Sequence, residues 1–126
     1  MTKFKTQGFG NTFKNARKGM RLSIKSERNL RIHISAATLT IIAAFCLKFS
    51  IVKFCILLLT IGAVISAEMI NSAFEFALDA IYHNRYSRIV GMAKDIAAGA
   101  VMVVTVISVM IGVLLFAPPV IQLISD

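Results

Sequence analysis

One segment of this 126-residue chain combines strongly polar side chains with an otherwise apolar sequence. At about 100° per residue, the polar positions fall within a stripe about 100° wide on a helix. The stripe contains Glu68, Asn71, Ser72, Glu75 and Asp79. With a rise of about 1.5 Å per residue, it runs roughly 16 Å along the helix axis. We therefore predict a helix with a single polar face, along which its acids are aligned.

Three carboxylates on one apolar helix point to charge chemistry. Inside a membrane each would cost about 2.5 kcal/mol or more unless it is paired, protonated or facing a wet cavity. A bound divalent cation would offset that cost, because hard cations prefer carboxylate oxygens. The alternative is a polar seam between helices, which accounts well for Asn71 and Ser72 but poorly for three acids. We also expect Asn71 and Ser72 to hold the carboxylate of Glu68 in place.

Two further groups fit the same polar site. Glu27 is the only acid in the first 67 residues, and we expect it near the surface where the polar helix emerges, within reach of the cation at Glu75. Lys94 and Asp95 open the third apolar segment on that side, where an ammonium suits a polyphosphate. Phosphoryl transfer needs chiefly positioning, charge neutralisation and a base for the attacking hydroxyl. The chain has no G-x-x-x-x-G-K-[ST] loop, so a nucleotide site must be built from helices.

The composition places the elements that carry these residues in lipid. Hydrophobic residues make up 57% of the chain and the mean hydropathy is +0.78, which excludes an ordinary soluble domain. We predict an all-α integral membrane fold, with residues 32–126 forming one three-helix domain. Its spans are expected at about 32–49, 53–79 and 95–116. We expect Pro118 and Pro119 to end the last helix, and Cys46 and Cys55 to be small buried residues.

Basic residues are distributed very unevenly along the chain. Of the 14 Lys and Arg residues, nine precede the first span and three lie between Asp79 and Asp95. With three spans, these share one side of the membrane, which places the N-terminus in the cytoplasm. Residues 1–31 are predicted to be a cytoplasmic, basic, amphipathic segment whose helix lies on the membrane surface. The net charge of +8 then matches anionic lipid, and no nucleic-acid partner is expected.

Several segments are similar to one known family. Residues 68–79, E-M-I-N-S-A-F-E-F-A-L-D, resemble the E-x-x-N-[ST]-A-x-E-x-x-x-D signature of the prokaryotic diacylglycerol kinase family. Residues 93–101, A-K-D-I-A-A-G-A-V, resemble its A-K-D-x-A-A-G-A-V segment. Residues 13–19 and the segment E-R-N-L-R-I-H at 27–33 are also similar to that family. The resemblance extends from about Phe13 to the end of the third apolar segment.

The resemblance implies an ATP- and Mg²⁺-dependent lipid kinase in the inner or plasma membrane of a prokaryote. It implies a homotrimer of three-span protomers with an N-terminal surface helix and active sites at the cytoplasmic interface. In that family Glu68 has the position of the general base, Glu27 and Glu75 those of metal ligands, and Lys94 that of a phosphate contact. The supporting positions fall on Asn71, Asp79 and Asp95.

The nucleotide-contacting surface of the family is less well matched. It corresponds here to Asn15, Arg85, Tyr86 and Ser87. The chain has Asn15 where a Tyr is common and Tyr86-Ser87 where a Tyr-His pair is usual, with one extra residue between Asp79 and Lys94. The two histidines, His33 and His83, are expected to be interfacial residues rather than ligands.

The sequence leaves alternatives open for the lipid substrate and for the class of protein. The A-A-G-A-V ending and the E-R-N-x-R-I-H segment resemble the undecaprenol kinase branch, which favours undecaprenol. The alternative lipid is diacylglycerol, whose phosphorylation yields phosphatidic acid. A different class is a small proton- or ion-coupled transport protein, because intramembrane acids also serve ion relays. A third possibility is a non-catalytic subunit whose polar stripe only packs helices together.

Overall fold

A computed structural model describes residues 8–85 and 87–126, and within those ranges the chain forms four helices and no strand. The helices are α1 (Phe9–Ser26), α2 (Arg28–Cys46), α3 (Ile51–Ile81) and α4 (Arg88–Ser125). Of these, α2, α3 and α4 are long and apolar enough to cross a membrane. The prediction of an all-α, multi-span membrane protein is confirmed.

A single residue, Glu27, connects α1 to α2. Its backbone is extended, with φ −111° and ψ 112°. The guanidinium of Arg31 donates hydrogen bonds to the backbone carbonyls of Ile24 and Lys25, both at 2.9 Å. These carbonyls belong to the last turn of α1, where backbone carbonyls have no N–H partner within the helix. Residues 28–31, which we assigned to the N-terminal segment, therefore form the first turn of α2 and fasten α1 to it.

The turn between α2 and α3 closes the opposite end of the bundle. Lys48 has a left-handed φ of 56°, and the N–H of Phe49 donates to the carbonyl of Ala44, as in a Schellman C-cap. The Phe49 ring lies 4.8 Å from that of Phe116 on α4, measured between centroids. Next to these rings, Ala44, Leu57 and Leu115 form a buried cluster from all three long helices. The packed interior at this end of the bundle is apolar.

The last helix is longer than predicted at both ends. At its start, the hydroxyl of Ser87 accepts a hydrogen bond from the N–H of Val90 at 3.1 Å, and residues 88–94, before Asp95, are already helical. At its far end, the expectation that Pro118 and Pro119 stop the helix is wrong, since α4 contains both and ends at Ser125. Proline removes backbone donors, but its fixed φ of about −65° is close to the helical value, so the chain keeps its direction.

The chain on its own buries few side chains. Large apolar residues such as Leu59, Leu114 and Ile96 are mostly exposed, which in water would be unfavourable and in lipid is expected. Cys46 and Cys55 are also exposed, so the prediction that they are buried is wrong. Both are part of apolar runs, but they lie on helix faces turned away from the neighbouring helices.

Candidate active site

The polar stripe of α3 faces the other helices, as its periodicity predicts. Glu68 is 6% exposed and Ser72 only 3%, whereas Ile70, which lies between them, is 70% exposed. Asn71, Glu75 and Asp79 are half-buried. The residues that the sequence places on one face therefore line the interior of the bundle along the second half of α3.

Glu68 has a partner that the sequence analysis missed. The Nε2 atom of His33 on α2 lies 3.2 Å from Oε1 of Glu68, and the two side chains are 25% and 7% exposed. We predicted His33 to be an interfacial residue without a role in the site. The signal that could have found this contact is the distance of each residue from the turn joining α2 and α3, because in an antiparallel pair the two then differ in depth by only about one helical turn.

Asn71 and Ser72 do not hold the Glu68 carboxylate as expected. The Ser72 hydroxyl donates to the backbone carbonyl of Glu68 at 3.1 Å, which is an ordinary helical i−4 contact. The Oδ1 atom of Asn71 is buried and has no hydrogen-bond partner among the residues described. Buried acceptors without donors are rare, so this oxygen is suited to a donor from outside the chain.

At the end of the stripe, Asp79 pairs with Lys94 on α4. Lys94 Nζ donates to Asp79 Oδ1 at 2.6 Å, and the two side chains are 34% and 40% exposed. The pair borders a cavity of about 230 Å³, which is also lined by Asn84, Arg85 and Asp95. An ammonium carries three donors, so Lys94 can contact an anion in the cavity while it remains bonded to Asp79.

The loop before α4 shapes this cavity. His83 and Asn84 both have left-handed φ values, of 49° and 60°. The N–H of Asn84 donates to the carbonyl of Asp79 at 3.0 Å, which ends α3 and turns the chain back. Arg85 follows at the cavity wall. This is the strained segment through which Arg85 is brought beside Asp79 and Lys94.

The predicted nucleotide residues are only partly brought together. Arg85 lies at the cavity with Lys94 and Asp95. The Ser87 hydroxyl is engaged in capping α4, and Asn15 lies on an exposed part of α1. Tyr86 lies outside the described residues.

Glu27 and Glu75 supply two carboxylates without ion-pair partners within residues 8–85 and 87–126. Both are half-buried, and α1, whose last residue Ser26 directly precedes Glu27, packs against α2 and α3. The described part of the chain contains no group of three or more His, Cys, Asp or Glu side chains around one point. Mg²⁺ usually takes one or two carboxylates and completes its shell with water and phosphate oxygens, so these two side chains are the candidates to hold it.

An apolar groove lies between α2, α3 and α4. Its volume is about 510 Å³, and it extends from His33 towards Phe116. Three of the four hydroxyl side chains in its wall, those of Thr40, Thr60 and Ser108, donate to carbonyls of their own helices. The groove therefore offers an apolar surface that ends at the contact between His33 and Glu68.

Three apolar spans around a buried carboxylate define an integral membrane protein with a polar site inside its helix bundle. Comparison with known proteins identifies the family. Residues 14–116 match the prokaryotic diacylglycerol kinase family, and the chain belongs to it. The resemblance noted from the motifs is confirmed.

Two relatives are named as lipid kinases. Undecaprenol kinase of Bacillus subtilis (strain 168) is 38% identical over 110 residues, which cover 87% of this chain and 89% of that protein. Diacylglycerol kinase of a Synechocystis species is 32% identical over 112 residues, which cover 89% of this chain and 64% of that longer protein. The chain is a membrane lipid kinase.

Proposed function

We propose that this protein transfers the γ-phosphate of ATP to the hydroxyl of undecaprenol. The observation that carries the choice of lipid is the 38% identity with undecaprenol kinase, which extends over 89% of that relative. The apolar groove supports a lipid substrate of either kind, because hydrocarbon chains require a surface without charges and the groove runs along the bundle from His33. Diacylglycerol is the second candidate, supported by the 32% identity with a diacylglycerol kinase.

In this proposal Glu68 is the general base. Its carboxylate is buried beside the His33 end of the groove. The hydroxyl of a lipid lying in the groove would reach this end. The carboxylate accepts the hydroxyl proton while the lipid oxygen forms a bond to the γ-phosphorus. The bond from that phosphorus to the oxygen of the leaving ADP breaks in the same displacement. A base placed at the hydroxyl contributes about 10²- to 10⁴-fold to the rate.

The phosphates of ATP are assigned to the other end of the stripe. Lys94 contacts them from the small cavity, and Asp79 orients the ammonium through their ion pair. Asp95 and Arg85 border the same cavity. Glu27 and Glu75 hold Mg²⁺, which supplies neutralisation of charge on the phosphate oxygens when it is bound. The amide of Asn71 provides a buried acceptor between the two ends.

The assembly and orientation are proposed as follows. The protein is a homotrimer in the inner or plasma membrane, with its N-terminus and active sites on the cytoplasmic side. The distribution of basic residues supports that orientation. The many exposed apolar side chains on α2, α3 and α4 leave ample surface for contacts between protomers. Helix α1, with basic residues such as Lys14, Arg17 and Lys18 in its sequence, lies on the membrane surface.

The experiment uses purified protein in detergent micelles, with ATP, Mg²⁺ and either undecaprenol or diacylglycerol. We expect phosphorylation of both lipids to be measurable and the kcat/KM for undecaprenol to be the larger. A preference for diacylglycerol would overturn the choice of lipid. If neither lipid is phosphorylated, both lipid assignments are overturned.

A further inference from the structure

The carboxylate of Glu68 has one polar side-chain neighbour in the part of the chain that the structure describes. Within the described residues, His33 is the one side chain with a polar atom at hydrogen-bonding distance from it, at 3.2 Å. Ser72 bonds the backbone of Glu68 instead, and the Asn71 oxygen has no partner. Because the Glu68 side chain is only 7% exposed, bulk water cannot readily take the place of that contact.

His33 is also part of the wall of the apolar groove. It is the only titratable side chain among the described residues that line this groove. The imidazole therefore lies between the surface that suits the lipid chain and the carboxylate that acts on the lipid hydroxyl. The position of the His33 imidazole therefore affects the geometry between the Glu68 carboxylate and the lipid hydroxyl.

We infer that His33 is a positioning residue for Glu68, with its Nε2–H holding one carboxylate oxygen so that the other faces the lipid hydroxyl. This inference rests on the proposed function, in which Glu68 is the base. A carboxylate needs only one oxygen to accept the proton, so the other is available to a fixed donor. His33 keeps its own proton throughout, and the hydroxyl proton ends on the second oxygen of Glu68.

Two substitutions separate the N–H donor from the size of the side chain. In His33→Gln the side-chain amide nitrogen lies the same number of bonds from Cα as Nε2 of histidine does. A hydrogen-bond donor to Glu68 is therefore kept. His33→Met has a similar length but no donor. Ser35→Ala is the control, because Ser35 lies on the same helix, is exposed, and its hydroxyl bonds only to its own helix.

We expect His33→Met to lower kcat by about 10- to 100-fold, the range for losing one hydrogen bond to a charged group. The KM values for ATP and for the lipid should change by less than about threefold, since neither substrate's binding depends on that donor. His33→Gln should keep kcat within about fivefold of the parent protein, and Ser35→Ala should match the parent. Equal losses in the Gln and Met variants would overturn the inference.

A double-mutant cycle tests whether His33 acts through Glu68. In a Glu68→Gln background, adding His33→Met should change the residual transfer rate by less than about twofold, because the coupled partner is already lost. Independent, multiplicative losses would overturn the inference. If His33→Met does not fold, His33→Asn replaces it, since its shorter amide does not reach Glu68. Absence of lipid phosphorylation by the parent protein would instead overturn the proposed function.

Discussion

Lys94 and Asp79 form an ion pair that joins the start of α4 to the end of α3, with Nζ 2.6 Å from Oδ1. The side chains are 34% and 40% exposed, and pairs at such exposure typically add little to stability. Their position at the small cavity is more informative, because the pair fixes the ammonium at a wall that it shares with Arg85 and Asp95. We interpret Asp79 as the group that orients Lys94 towards the nucleotide phosphates.

Removing the two partners should therefore have unequal effects. We expect Lys94→Ala to lower kcat/KM for ATP by about 100-fold or more, the range for a lost electrostatic contact to a reacting group. Asp79→Asn keeps the ammonium and should lower it by about tenfold or less, with a melting temperature close to the parent value. Titration of ATP at saturating lipid measures both. A larger loss in Asp79→Asn would mean that the carboxylate itself takes part in the chemistry.

The half-buried carboxylates predict a change in metal dependence. Glu75→Ala and Glu27→Ala should each raise the Mg²⁺ concentration needed for half-maximal activity by about tenfold or more, because few protein ligands hold this ion. The measurement is a Mg²⁺ titration at fixed ATP and lipid. Asp126→Asn, which changes an exposed acid at the C-terminus, is the matched control and should leave the midpoint unchanged. Unchanged midpoints in folded Glu27 and Glu75 variants would remove both from the metal site.

The charge distribution predicts which loops face the cytoplasm. A cysteine placed at Asn84 should react with an impermeant thiol reagent from the cytoplasmic side, and one placed at Ile124 from the other side. Asn84 lies in the loop before α4 and Ile124 in the last turn of α4. Helix α4 has 38 residues and is about 57 Å long, so it extends beyond the ~30 Å hydrocarbon core. The background must lack Cys46 and Cys55, which are exposed. The reverse pattern would place the polar stripe away from cytoplasmic ATP.

The sequence predicts the structural features that depend on a single helix. The inward face of α3 follows from the spacing of its polar residues, and the burial of Glu68 and Ser72 agrees with it. The motifs at 68–79 and 93–101 were enough to find the family, which the match over residues 14–116 confirms. Periodicity and local motifs work here because each depends on residues within a few turns of one another.

What depends on pairs of helices was harder to predict. The contact of His33 with Glu68 and the ion pair of Asp79 with Lys94 are set by the register between neighbouring helices, which no single-helix pattern contains. The continuation of α4 through Pro118 was missed for another reason. Proline is read as a helix breaker, yet its fixed φ is compatible with a helix that is held by its surroundings.

The most direct test of the account is Glu68→Gln, measured for phosphoryl transfer and for nucleotide binding on the same preparation. The amide keeps the size and polarity of the side chain but cannot accept the hydroxyl proton, so transfer to undecaprenol should fall by about 10²- to 10⁴-fold. Affinity for a non-hydrolysable ATP analogue should stay within about threefold, because the cavity at Lys94 lies at the other end of the stripe. Near-parental transfer by Glu68→Gln would contradict the account, since Glu68 would then be a packing residue.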